Sequence, residues 1–108
     1  MDIIEFSTVG KKLTQTKEGK EIARIFIYFI RNDLHEKPYA LLEDLYVQEE
    51  FRSQGYGASM VQAALKEAKK SGCYKVIATS RYAREYVHQL YLKLGFQDYG
   101  KEFRLNIN

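Results

Sequence analysis

The stretch Arg52-Ser53-Gln54-Gly55-Tyr56-Gly57-Ala58 joins a segment that reads as a strand to one that reads as a helix, and it carries two glycines. Lacking a Cβ, glycine lets the main chain approach a ligand closely. The first amides of the following helix have no partner inside it, and the helix dipole favours negative charge beside them. A pyrophosphate is the ligand such a turn suits. Arg52, just upstream, is placed to add a charge-assisted hydrogen bond, worth about 1.5–3 kcal/mol where shielded. Two nucleotide-binding turns are excluded: no Gly-Lys-Ser/Thr of a P-loop follows, and Met60 stands where the dinucleotide fingerprint has its third glycine. Because Gly-x-Gly also marks ordinary turns, its surroundings must decide its meaning.

Working outward, Tyr39 to Val47 alternates as a strand should, and Gln48 to Gln54 is a polar connection. Beyond Gly55, Met60, Val61, Ala64, Leu65 and Ala68 recur at helical spacing, with Lys69-Lys70 and then Gly72 as the stop. Tyr74 to Thr79 reads as a short strand. A second helix is expected from about Arg81 to Leu94, with Ala83, Val87, Leu90 and Leu94 on one stripe and Gly95 after it. Upstream, Ile3 to Val9, Lys12 to Thr16 and Glu21 to Arg31 read as strands of an antiparallel meander, turning at Lys17-Glu18-Gly19-Lys20. Phe96 to Tyr99 and Phe103 to Ile107 read as a closing hairpin around Gly100. The order is that of an α+β or mixed α/β fold.

The length of 108 residues is that of a single domain, 1–108. With 45% hydrophobic residues and one proline, a packed core is expected. A net charge of +3, spread evenly, does not announce nucleic acid or a membrane surface as a partner. Cys73 is the only cysteine, so neither an intrachain disulfide nor a Cys/His metal set can form, and a cytoplasmic setting is expected. The first residues lack the basic leader and apolar core of a signal peptide, and no segment approaches a membrane span. Along Ile22 to Ile30 both strand faces are apolar, more than two helices can cover; a homodimer is the expected remedy.

The strand Tyr39 to Val47, the Arg-x-x-Gly-x-Gly turn at 52–57, and Leu90-Tyr91-Leu92-Lys93-Leu94-Gly95-Phe96 together resemble the GNAT superfamily of N-acetyltransferases, over roughly residues 21 to 107. The resemblance implies a GNAT-like fold with antiparallel N-terminal strands, a central parallel strand pair and two main helices. It also implies acetyl-CoA as co-substrate, no metal, and a primary amine as acceptor. The pyrophosphate would take the amides of Gln54, Gly55, Tyr56, Gly57 and Ala58, with Arg52 beside them. Main-chain groups around Leu45 and Val47 would meet the pantetheine arm and the acetyl carbonyl, where an amide serves as a small oxyanion hole.

Tyr91 matches the tyrosine of the family's Tyr-x-x-x-Gly-Phe signature and would protonate the departing thiolate; otherwise it flanks the apolar stripe. Glu43 is the first candidate to accept the amine's proton, expected by alternation to share a strand face with Leu45 and Val47, while Asp44 on the opposite face is the second. His88, one turn before Tyr91, is read as solvated, and Cys73 as a small core residue. Two departures stand out: no helices separate the early strands, and Arg84 replaces the asparagine usual seven residues before the signature tyrosine. The acceptor wall is then open or completed by a second chain. Glu43, Asp44, Glu49 and Glu50 would draw a cationic acceptor, whether a polyamine or a protein or peptide amine. A non-catalytic acyl-CoA sensor and a pure interaction module are the alternatives.

Overall fold

Strand β1 (Val9–Lys17) turns back through Glu18-Gly19 into β2 (Lys20–Ile30), and β3 (Tyr39–Val47) continues the antiparallel sheet. A short 3-10 turn, Glu49–Phe51, leads to helix α1 (Tyr56–Lys70), after which β4 (Val76–Ala78) lies parallel to β3. The sheet order is β1-β2-β3-β4. This computed structural model describes residues 1–108, divided into two compact units, Met1–Ala78 and Thr79–Asn108. No helix is long and apolar enough to cross a membrane.

Within the first unit, α1 buries Met60, Val61, Ala64 and Ala68. Their spacing of three and four residues sets one stripe against the sheet. The sheet contributes Ala23, Ile25, Ile27, Ala40, Leu42 and Leu45. Each fully buried Ile, Leu or Val contributes about 1.5–3 kcal/mol, so this seam anchors the unit. Lys11 lies opposite Ile27 in the ladder and pairs with Glu67 of α1 at 3.1 Å, which identifies the Ile25/Ile27 face as the covered one. The helix ends where Gly72, at φ 73, lets the amides of Gly72 and Cys73 bond back to Lys69 and Ala68, the Schellman arrangement.

The β2–β3 ladder slips by one residue between Arg24 and Phe26. Asp44, at φ 55, is the extra residue on β3. Upstream of it, Ala40 and Leu42 are buried and pair with Phe29 and Ile27; downstream, Leu45 is buried and Val47 pairs with Ala23. The intervening bulge reverses the alternation.

Two expected elements are not formed. Residues 1–8 carry no strand, because β2 ends at Ile30 and its last partner on β1 side is Val9, opposite Phe29. Residues 94–108 likewise carry no hairpin. Gly100 is not in the left-handed conformation that a two-residue hairpin turn requires, and Phe103, Leu105 and Ile107 are exposed. The second unit is built around helix α2 (Glu85–Lys93), shorter than expected at its start, closed by amides of Gly95 and Phe96 bonding to Leu92 and Tyr91.

Candidate functional site

Gly55 is the cap of α1 and sits at φ 89, a conformation that L side chains resist; a Cβ there would meet nothing within 4 Å, so the requirement is one of backbone and not of space. No side chain caps the helix. Its first main-chain bond is Ser59 N–H to Gly55 O at 3.0 Å, which leaves the amides of Tyr56, Gly57 and Ala58 unpaired. A 15-residue helix thus offers three donors and its positive dipole end at one point. Edge-to-face packing of Tyr56 on Phe51, centroids 6.2 Å apart, pins the two ends of the turn together. Gln54 bonds back to Glu50 O at 3.3 Å.

Arg52 makes two contacts within the protein that its sequence position did not reveal. Its Nε donates to the carbonyl of Val47 at 2.8 Å, and its guanidinium lies 5.4 Å from the ring centre of Tyr46. It ties the turn to the end of β3. A second tie is Gln48, whose amide bonds to Ile22 O and whose side chain donates to Glu21 O.

Beside the turn, β3 and β4 pair only from Ala40↔Val76 to Leu42↔Ala78. The β3–β4 ladder ends at Leu42↔Ala78, and β3 continues through Leu45 to Val47 beyond it.

Glu43 is half-buried and lies opposite Phe26, on the sheet face away from α1. The bulge therefore corrects the expected grouping: Glu43 does not share a face with Leu45 and Val47 but with Leu41 and Tyr46. Asp44 is exposed and occupies the bulge itself.

In the second unit, Tyr91 is 7% exposed and belongs to the buried stripe with Val87, rather than flanking it. Its ring lies 5.1 Å from Phe96, so the Tyr-x-x-x-Gly-Phe spacing brings the two aromatics together. Burial pushes the phenol up from its ordinary 10.0, against a smaller opposing pull from Arg84. The group is a proton donor throughout neutral pH. Arg84 starts α2 and donates to the Tyr86 hydroxyl at 2.9 Å. His88 is not merely solvated, since its Nε2 sits 2.8 Å from the Arg81 carbonyl, an acceptor, and so carries the proton. Cys73 is half-buried, and desolvation raises its pKa, which keeps it a thiol. It lines an open groove of about 450 Å³ with Lys66, Lys69 and Lys75 at the far end of α1, away from the phosphate-like turn.

The family model described as Acetyltransferase (GNAT) matches residues 8–96. Among solved structures, a putative acetyltransferase from Agrobacterium tumefaciens superposes with a TM-score of 0.83 at 28% identity, over 90% of this chain and 68% of that one. A transcriptional regulator from Bacillus halodurans gives 0.86 at 19% identity, over 91% and 66%. Glucosamine-6-phosphate N-acetyltransferase from Arabidopsis thaliana gives 0.81 at 20%, over 92% and 67%. At such identities the last two speak to the fold alone. The chain spans about two thirds of the length of these structures. Among curated proteins, none matches the chain in sequence.

Proposed function

Because the chain belongs to the GNAT acetyltransferase family, we propose that it moves an acetyl group from acetyl-CoA to a primary amine by direct attack in a ternary complex. The observation that carries this reading is the triplet of unpaired amides at Tyr56, Gly57 and Ala58 at the head of α1. Together with Gln54 and Gly55 they make a cradle for the coenzyme's diphosphate. Main-chain groups around Leu45 and Val47, where β3 has run past the last β4 pair, meet the pantetheine arm and supply a donor for the thioester carbonyl.

Glu43 accepts the proton of the incoming ammonium, directly or through water, freeing the nitrogen lone pair. Asp44 is the second candidate. The C–N bond forms and the C–S bond breaks; the Tyr91 phenol passes its proton to the departing sulfur, and the second proton shed by the acylated nitrogen returns through water to restore the phenol. A thiolate is already a competent leaving group, so this donor assists the step without being indispensable. No proposed step uses Cys73, His88 or a metal.

The acceptor is drawn by Glu43, Asp44, Glu49 and Glu50, the last three exposed. Small polyamines and protein or peptide amines both fit that charge. The chain works in the cytoplasm as a single domain, 1–108, and the half-buried apolar residues Phe26, Tyr28 and Ile30 on the face away from α1 favour a homodimer.

The test is release of free CoA from acetyl-CoA with a panel of polyamines, lysine peptides and peptide N-termini. Amine-dependent release supports the transferase. Tight CoA binding with no release on any amine would leave the second reading, an acyl-CoA-binding sensor, which the shared fold of a protein described as a transcriptional regulator keeps in view.

A further inference from the structure

We propose that Arg24 and Arg52, gathered about the ring of Tyr46, form an oxyanion subsite for the acceptor, so that the amine acetylated by this chain also carries a carboxylate or a phosphate. The inference deepens the transferase reading and rests on it for the word acceptor; the anion site itself rests on geometry.

The guanidinium of Arg24 lies 5.1 Å from the Tyr46 ring centre and that of Arg52 lies 5.4 Å from the same centre. Neither guanidinium is paired with a carboxylate, since the ion pairs Lys11–Glu67 and Lys12–Glu21 involve neither. The Nε of Arg24 is buried without a hydrogen-bond partner. Orphaned buried donors are rare because desolvating one is costly, and an acceptor arriving from outside is one of the few arrangements that explains it. Two planar donor forks beside an aromatic ring are suited to carboxylate and phosphate oxygens.

The register says whose anion this is. Arg24 faces Tyr46 across the β2–β3 ladder, and Phe26 faces Glu43, so both pairs lie on the sheet face away from α1. One ladder step of two residues is about 6.6 Å. An acceptor whose ammonium is handled by Glu43 therefore places an oxyanion a few bonds away at the arginines. The acidic residues alone would favour the more cationic acceptor; the arginines reverse that order.

The experiment is calorimetric titration of the full chain, saturated with CoA, using two matched pairs: lysine against cadaverine, and phosphoethanolamine against ethanolamine. Within each pair only the oxyanion differs. Expected is a preference for the anionic member of about tenfold or more, reduced to within about twofold by Arg24→Gln and partly kept by Arg24→Lys, with CoA affinity unchanged. An advantage in one pair alone supports the subsite and identifies its oxyanion. Tyr46→Leu, at an exposed ring, gives the same reduction should Arg24→Gln fold poorly. Equal binding within both pairs overturns the proposal, as does an Arg24→Gln variant that weakens CoA while leaving the pair ratios intact, which would assign the guanidinium to the coenzyme. An absence of CoA release on every amine, with the binding preference intact, removes the transfer reaction and leaves the anion site standing.

Discussion

A carboxylate placed in the first turn of α1 should move stability and coenzyme affinity in opposite directions. Ala58 is the third residue of that helix, its amide is unpaired, and its side chain is half-buried. In Ala58→Glu the new carboxylate lies at the positive end of the dipole and can reach back to the cap amide, a gain of about 0.3–1 kcal/mol. At about 4 °C per kcal/mol for a domain near this size, Tm rises by about 1–4 °C. The same charge then opposes a bound diphosphate. One pair of like charges about 4 Å apart repels by between about 1 kcal/mol in water and about 4 kcal/mol near a protein surface. Even the lower figure is about a fivefold loss of affinity. Ala58→Gln, of equal bulk and no charge, isolates the effect. Differential scanning fluorimetry and calorimetry with CoA at low and high salt provide both readings, and added salt should shrink the difference between the Glu and Gln variants. Equal CoA affinity in the two variants at low salt would refute the assignment of the diphosphate to this helix terminus.

Tyr91→Phe should lower kcat more than it weakens CoA binding, and steady-state kinetics with a direct CoA titration separate the two; unchanged kcat removes the phenol from the mechanism. The same variant has a signature in stability. The folded phenol titrates above 10.0, so the unfolded chain ionises first; the contribution is complete below pH 10.0 and is lost as pH rises beyond it. Thermal melts across that window should fall more steeply for the native chain than for Tyr91→Phe. At the bulge, Asp44→Val places a β-branched residue at φ 55 and should cost about 1–2 kcal/mol, whereas Asp44→Gly should be tolerated; urea midpoints that rank the two in the other order would contradict the left-handed bulge.

Helix α1 was legible because its apolar period, its two flanking glycines and its terminal lysines all agree. The strand read as Glu21 to Arg31 was legible from its run of β-branched and aromatic residues after a turn, and the one from Tyr39 to Val47 from its alternation. The bulge was not. One inserted residue leaves every side chain of β3 in place in the sequence while moving Glu43 to the opposite face from Leu45, and only an Asp able to adopt positive φ hints at it. The terminal segments failed differently: Ile3 to Val9 and Phe103 to Ile107 have the right alternation, but a strand also needs a ladder partner, which composition cannot supply. The direction of Arg52 was hidden too, since its bond to Val47 O depends on how the turn folds back. The Arg24–Tyr46 contact joins residues far apart in the chain and becomes visible only once β2 and β3 are in register.

The most direct measurement is a crystal structure of the chain with coenzyme A. Diphosphate oxygens should lie within ordinary hydrogen-bonding distance of the amide nitrogens of Tyr56, Gly57 and Ala58, with the pantetheine along residues 43–47. Coenzyme bound elsewhere with those amides facing only solvent, or no binding at all, would contradict the assignment on which the proposed chemistry rests.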